Sequence, residues 1–169
     1  MKLYHGSNME IIDIDFTKCR PYKAFGQGFY LTTIKEQAAK MAVRVARIYG
    51  GSPCIIEYDF NDAALTKSNV RSRVFEKPNK EWALFVMNNR SREFKDITSS
   101  ECNHDKKYDL VAGPIADDDL ALLFRQFSND MITIDILVKE MEFKQLTNQY
   151  SFHTKKAIKY LKKVGIQYE

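Results

Sequence analysis

Short strand-prone runs separated by stretches of helical period limit most strongly what this chain can fold into. Residues 2–5, 29–31, 54–60, 108–112 and 149–152 read as strands, with a further short one near Ala64-Leu65. The clearest helix opens with Thr33 and Glu36 in capping-box spacing. It places Ala38, Met41, Ala42, Val45 and Tyr49 on one face and stops at Gly50-Gly51. A second begins around Pro78-Asn79 with Trp82, Phe85 and Val86 at i, i+3, i+4 and ends near Asn88-Asn89-Arg90. Residues 91–107 read as an exposed polar connection. Asp117 or Asp118 caps a helix carrying Leu120, Leu123, Phe124 and Phe127, and Ile134, Leu137, Val138 and Met141 repeat the period. Thr154 caps a final helix that stops near Gly165. Mixed order with short strands predicts an α+β fold with a split central sheet.

At 169 residues, 44% hydrophobic and with eleven Phe and nine Tyr, the chain can fill the core of one domain spanning residues 1–169. Its net charge of +4 is too mild to argue for a polyanion binder. The local concentration at Lys155, Lys156, Lys159, Lys162 and Lys163 reads as the solvated side of the final helix. A contact surface for an acidic partner is the lesser reading. Cys19, Cys54 and Cys102 lack metal or CxxC spacing, and His5, His104 and His153 form no HxxxH, so no metal is expected. With no signal-like start and no run of ~20 apolar residues, no membrane association and a cytoplasmic location are expected.

Three segments are candidates for chemistry. In Tyr4-His5-Gly6-Ser7, a glycine after a histidine admits close approach to the backbone, and a serine hydroxyl adds a hydrogen bond. Gly26-Gln27-Gly28-Phe29-Tyr30-Leu31 has two glycines, but they precede a strand and GxGxxG is incomplete, which argues against a Rossmann phosphate loop. Tyr30 is either core or a flat stacking surface. Asn148-Gln149-Tyr150-Ser151-Phe152 is a strand with alternating aromatics. Taken singly, each is accounted for by structure alone.

In their order the three resemble the ADP-ribosyltransferase superfamily, in the His-Tyr-Glu branch that includes diphtheria toxin and the poly-ADP-ribose polymerases. His5-Gly6-Ser7 is similar to that branch's His-Gly-Ser. The segment 26–31 resembles its Gly-Lys-Gly-Ile-Tyr-Phe, and 148–152 its Asn-Glu-Tyr-Ile-Val strand. The chain also resembles a bacterial family of stand-alone domains with a Tyr-His-Gly-Ser start. The resemblance implies an ADP-ribosyltransferase-like split sheet flanked by helices, and NAD as substrate. It implies that the Gly6 backbone and Ser7 hold the nicotinamide carboxamide, that His5 binds an adenosine ribose hydroxyl and that Tyr30 stacks on nicotinamide. Gln149 stands where the family has its catalytic Glu. It keeps an acceptor oxygen but loses the charge, so chain-forming polymerase activity is not expected.

Arg20 and Tyr22, before the glycines, are candidates for the pyrophosphate, against a default of surface residues. Asp117, Asp118 and Asp119 read as a helix start. His153 reads first as a satisfied structural histidine and second as an aid to an acceptor. Three functions compete. One is a mono-ADP-ribosyltransferase, such as a toxin or defence effector, acting on a protein or nucleic-acid acceptor, with a small inhibitor protein as a candidate partner. The second is an inactive module binding NAD, ADP-ribose or a protein. The third is an adaptor of unrelated α+β fold.

Overall fold

The computed structural model describes residues 1–116, 118–142 and 147–169, without the side chains of 118 and 119. The strands are β1 Lys2–Ser7, β2 Phe29–Thr32, β3 Cys54–Phe60, β4 Ser72–Val74, β5 Leu110–Pro114, β6 Asn148–Phe152 and β7 Leu161–Tyr168. The helices are α1 Lys35–Tyr49, α2 Lys80–Arg90, α3 Asp118–Ser128, α4 Ile134–Glu142 and the short α5 Lys155–Ile158. The strands form one sheet in the order β4-β5-β6-β2-β1-β3-β7, antiparallel except between β4 and β5.

That sheet is nearly two. β1 meets β2 at one register pair, Tyr4↔Thr32, whereas β1 pairs with β3 from Lys2↔Asp59 to Ser7↔Cys54. Beyond Tyr4 the strands diverge, and His5, Gly6 and Ser7 lie along the fork. The α+β class follows the sequence expectation, while the sheet expected to be split stays one, joined at that single pair.

Two apolar clusters pack on opposite faces of the sheet. Leu110 and Ala112 of β5 belong to one, with Leu3, Ile56, Phe60 and Phe152. Val111 between them belongs to the other, under Trp82, Phe85, Leu120, Leu137 and Met141 of α2, α3 and α4. Both faces of β5 are therefore covered, which fits its continuous burial. α1 lies on β1 through small residues. A Cβ added to Gly6 would run into the Ala38 carbonyl oxygen and lie 2.7 Å from the Ala42 nitrogen. Gly6 thus lets helix and strand backbones touch, a structural demand beyond the ligand approach expected of it.

Several local expectations are corrected. The final helix is the short α5 alone, and residues 161–168 form strand β7 on the outer edge of β3. Opposite Glu57 and Tyr58 stand Gly165 and Lys163, so Val164 is an extra bulge residue. The bulge breaks the two-residue alternation, which is why the apolar spacing there imitates a helix. The five lysines are accordingly divided among α5, the turn and β7, and Lys163 pairs with Glu10 at 2.6 Å. α1 begins one residue late for a Thr33–Glu36 capping box: its N-cap is Ile34, with no side-chain cap bond. Thr32 serves the turn instead, accepting from the Ile34 N–H at 3.2 Å and donating to Gln37 Oε1 at 2.7 Å. Thr154, likewise, makes no cap bond and donates to Asp109 Oδ1 at 2.9 Å.

Ala64-Leu65 is a 3-10 turn, Asp62–Leu65, begun by the Asn61 side chain accepting from the Ala63 N–H. The sequence reading missed β4, three residues held parallel to β5. The connection 91–107 is not wholly exposed, because Cys102 and Asn103 are buried. The Asn103 amide nitrogen donates to the Phe25 and Tyr108 carbonyls, and Asn89 donates to that of Ala24. These two asparagines hold the glycine-containing turn from behind. Asp118 opens α3, while Asp117 and the Asp119 side chain lie outside the described residues. Among the described residues no helix is long and apolar enough to cross a membrane, and no His, Cys, Asp and Glu group could hold a metal.

Candidate active site

The sheet register gathers the site. Tyr4 opposes Thr32, Thr32 opposes Gln149, and Tyr30 opposes Ser151 two residues on. Since side chains alternate along a strand, Tyr4, Gly6, Tyr30, Thr32 and Gln149 belong to one sheet face. α1 covers that face on one side and the α2–α4 group on the other. The gap between them is a cavity of about 340 Å³ whose lining includes His5, Gly6, Ser7, Tyr30, Gln149 and Arg20. Its helical wall is Gln37, Ala38, Met41 and Val45.

A second cavity of about 530 Å³ adjoins it, walled by residues 9–15 and by Gly28 and Phe29. His5, Lys18, Arg20, Lys23 and Tyr30 line both cavities. The cleft therefore has two lobes joined at three cations, an imidazole and a phenol ring. No carboxylate lines the smaller lobe among the described residues, whereas Glu10, Asp13 and Asp15 line the larger.

His5 bridges the fork. Its Nδ1–H donates to the Tyr30 carbonyl at 2.8 Å, supplying a partner that β1 backbone no longer offers there. This fixes the tautomer and leaves Nε2 as an acceptor. The ring stacks on Phe29 at 4.2 Å between centroids. Burial, with a smaller push from Lys23, lowers the pKa of His5 to about 4 against the opposing Tyr30 bond, so the imidazole is neutral near pH 7.

The Tyr30 hydroxyl donates to the Gly26 carbonyl at 2.7 Å and accepts from the Phe25 N–H at 2.9 Å. Burial raises the phenol far above its ordinary value, so it acts as an anchor and not as an acid. Its ring is thereby held in the cleft, with Phe25 stacked nearby and the Lys23 ammonium 5.2 Å above the centroid. Lys23 is exposed as a residue, but its ammonium is turned inward. Desolvation first, then repulsion from Arg20 and Arg90, lowers its pKa. Cations crowded in this way favour an anion between them.

Gln149 Nε2 donates weakly to the Pro114 carbonyl at 3.4 Å, which directs Oε1 to act as the acceptor. Ser7 is 6% exposed, and its Oγ accepts from the Met9 N–H at 3.3 Å. Of the residues expected to bind NAD, Tyr22 alone is not in the cleft. It lies 37% exposed beside His104 and under Arg92. His153 is a satisfied structural group: Nδ1 bonds the Gln27 carbonyl and Nε2 the Ser151 hydroxyl, each at 2.8 Å. A Cβ on Gly28 would lie 2.6 Å from that imidazole, so this glycine admits the ring under the turn.

Lys18, Lys23 and Gln37 escaped the sequence reading. Met41 and Val45 were placed there on one face of the helix, and in the fold Met41 is 43% exposed and both line the cleft. The helical period gave the face correctly; it does not distinguish a core from a cavity wall. Comparison with curated proteins and with solved structures found no match. Over residues 1–163 the chain matches one family model, and it belongs to that family, described as a protein of unknown function, DUF3990.

Proposed function

We propose that this protein binds NAD across the two lobes and transfers a single ADP-ribosyl unit to a macromolecular acceptor in the cytoplasm. The observation that carries the reading is the junction: Lys18, Arg20 and Lys23 border both lobes, as a diphosphate joining two nucleoside halves requires. The neutral His5 supplies Nε2 as acceptor for a ribose hydroxyl. The anchored Tyr30 ring supplies a face for nicotinamide, and Lys23 already shows that a cation is accommodated over it. The fork at Gly6 and Ser7 offers strand backbone and a hydroxyl to the carboxamide.

In the reaction the bond between ribose C1′ and the nicotinamide nitrogen breaks. Its electron pair neutralises the pyridinium, the acceptor atom bonds to C1′, and any acceptor proton goes to solvent. The protein contributes position and electrostatics to an oxocarbenium-like transition state. Gln149 offers a neutral oxygen where a carboxylate would stabilise that charge, a difference of about 2–4 kcal/mol. Slow transfer of one unit is the consequence, with the acceptor's own nucleophilicity completing the step.

A second reading draws on the same lobe. Without a carboxylate among its described lining, the smaller lobe fits a module that holds NAD or ADP-ribose and turns nothing over. Labelled NAD mixed with the protein and a cell lysate separates the two. Transfer of label by the wild type and its loss, by at least about 10²-fold, in Tyr30→Ala supports the transferase. Undiminished transfer by that variant overturns it, and NAD binding without transfer or nicotinamide release selects the module.

A further inference from the structure

Next to the cleft the surface carries an aromatic array that the proposed NAD site does not use. The Arg92 guanidinium lies 4.9 Å over the Tyr22 ring, Tyr22 meets His104 edge-on at 5.8 Å, and His104 stacks on Phe94 at 6.3 Å. The His104 ring is fixed by Nε2–H donating to the Asn88 carbonyl at 2.9 Å. Tyr22 holds φ 57°, the left-handed region that a bulky residue rarely occupies, although its side chain fills no core.

From Phe94 a groove of about 520 Å³ continues between α2 and α3, lined by Arg90, Ser91, Phe124 and Arg125, with no carboxylate among its described lining. Glu93 and Asp96 share the loop of Arg92 but do not line the groove. Array and cleft are neighbours. Tyr22 precedes Lys23, and Arg90 acts electrostatically on both Lys23 and Tyr30.

Resting on the transferase reading above, we propose that the acceptor is a single-stranded nucleic acid, bound on the Tyr22–Arg92–His104–Phe94 surface and the adjoining groove. Aromatic rings that reach the surface, here Tyr22 exposed with Phe94 and His104 half-buried, stack unpaired bases whatever their sequence, and arginines track the phosphates. A duplex keeps its bases stacked on one another and has no use for such faces. The chemistry of the cleft agrees. An adenine, cytosine or guanine ring nitrogen or a phosphate oxygen carries its attacking lone pair without first losing a proton, so it needs no general base at the position of Gln149. That atom bonds to C1′ as the nicotinamide leaves with the pair of the broken C1′–N bond.

The test titrates the full chain against short fluorescein-labelled oligodeoxycytidine and oligocytidine, read by anisotropy, with duplex as comparison. Arg92→Glu, at an exposed residue, and Phe94→Ala, at a half-buried one, are each expected to weaken single-strand binding about tenfold or more and to leave NAD affinity unchanged. Wild-type binding is expected to fall steeply with salt. Absence of oligonucleotide binding, equal binding of duplex, or indifference to both substitutions overturns the proposal. Label from NAD that nuclease removes and protease does not supports it; 5′-phosphorylated and 5′-hydroxyl oligonucleotides then separate phosphate from base. Label that only protease removes overturns the nucleic-acid acceptor while the transferase reading stands. Oligonucleotide binding without any NAD binding overturns that reading instead.

Discussion

The two lobes of the cleft are made of different material. The smaller is built from strands and one helix face, with Tyr30, Thr32 and Gln149 held in sheet register and His5 bonded across the fork. The larger is walled by residues 9–15, where Ile12 is 84% exposed and Asp13 has no ladder to hold it. The first lobe is a rigid frame, in which a substitution costs stability or chemistry. The second is a loop surface, where a substitution changes affinity alone. On the proposed reading, the molecule separates the reacting end of a bound dinucleotide from its handle.

Gln149→Glu gives the largest effect that would sharpen this contrast. Restoring a carboxylate in the smaller lobe is expected to raise the rate of transfer roughly 10²–10³-fold, measured with saturating labelled NAD. An unchanged rate would break the link between that lobe and the chemistry. Gly6→Ala probes the frame itself. The added methyl meets backbone of α1 and not a movable side chain, so a loss of about 3 kcal/mol is expected in urea denaturation. Asp13→Ala in the other lobe is expected to stay within about 0.5 kcal/mol of wild type. Comparable losses would erase the distinction.

Acid probes the frame more gently. His5 and His153 both titrate at about 4 in the folded chain, chiefly because burial opposes their charge, and at 6.5 when unfolded. Between those values the unfolded chain binds more protons, so stability falls as pH drops below 6.5 and levels near 4. Denaturation curves should show a loss of about 2 kcal/mol between pH 6.5 and about pH 5.5 from the two histidines together. His153→Gln should remove about half of that slope.

The frame was more legible in the sequence than the loop lobe. Cys54–Phe60, Lys80–Arg90 and Ile134–Glu142 carry their own periodicity and end signals, and each was readable from local residues. β4 and β7 were not. β4 is three residues that form a strand only beside β5, and β7 hides its alternation behind the bulge at Val164. The site followed the same rule. His5, Tyr30 and Gln149 were picked out through a family resemblance in the order of three short motifs, and the fold brings all three to the smaller lobe. Lys18 and Lys23 look like ordinary surface lysines until the chain folds them around Tyr30. Arg20 was found and Tyr22 misplaced for one reason: a loop with φ 57° at Tyr22 turns neighbouring side chains in directions that no alternation rule gives.

The junction between the lobes is tested most directly by calorimetric titration of the full chain with NAD, with ADP-ribose as competitor and Arg20→Ala alongside. The predicted result is one NAD per chain, displaced by ADP-ribose, with affinity about tenfold weaker when the Arg20 contact to the diphosphate is lost. Saturable binding that ADP-ribose does not displace, or no binding of NAD at all, would contradict a two-lobed dinucleotide site.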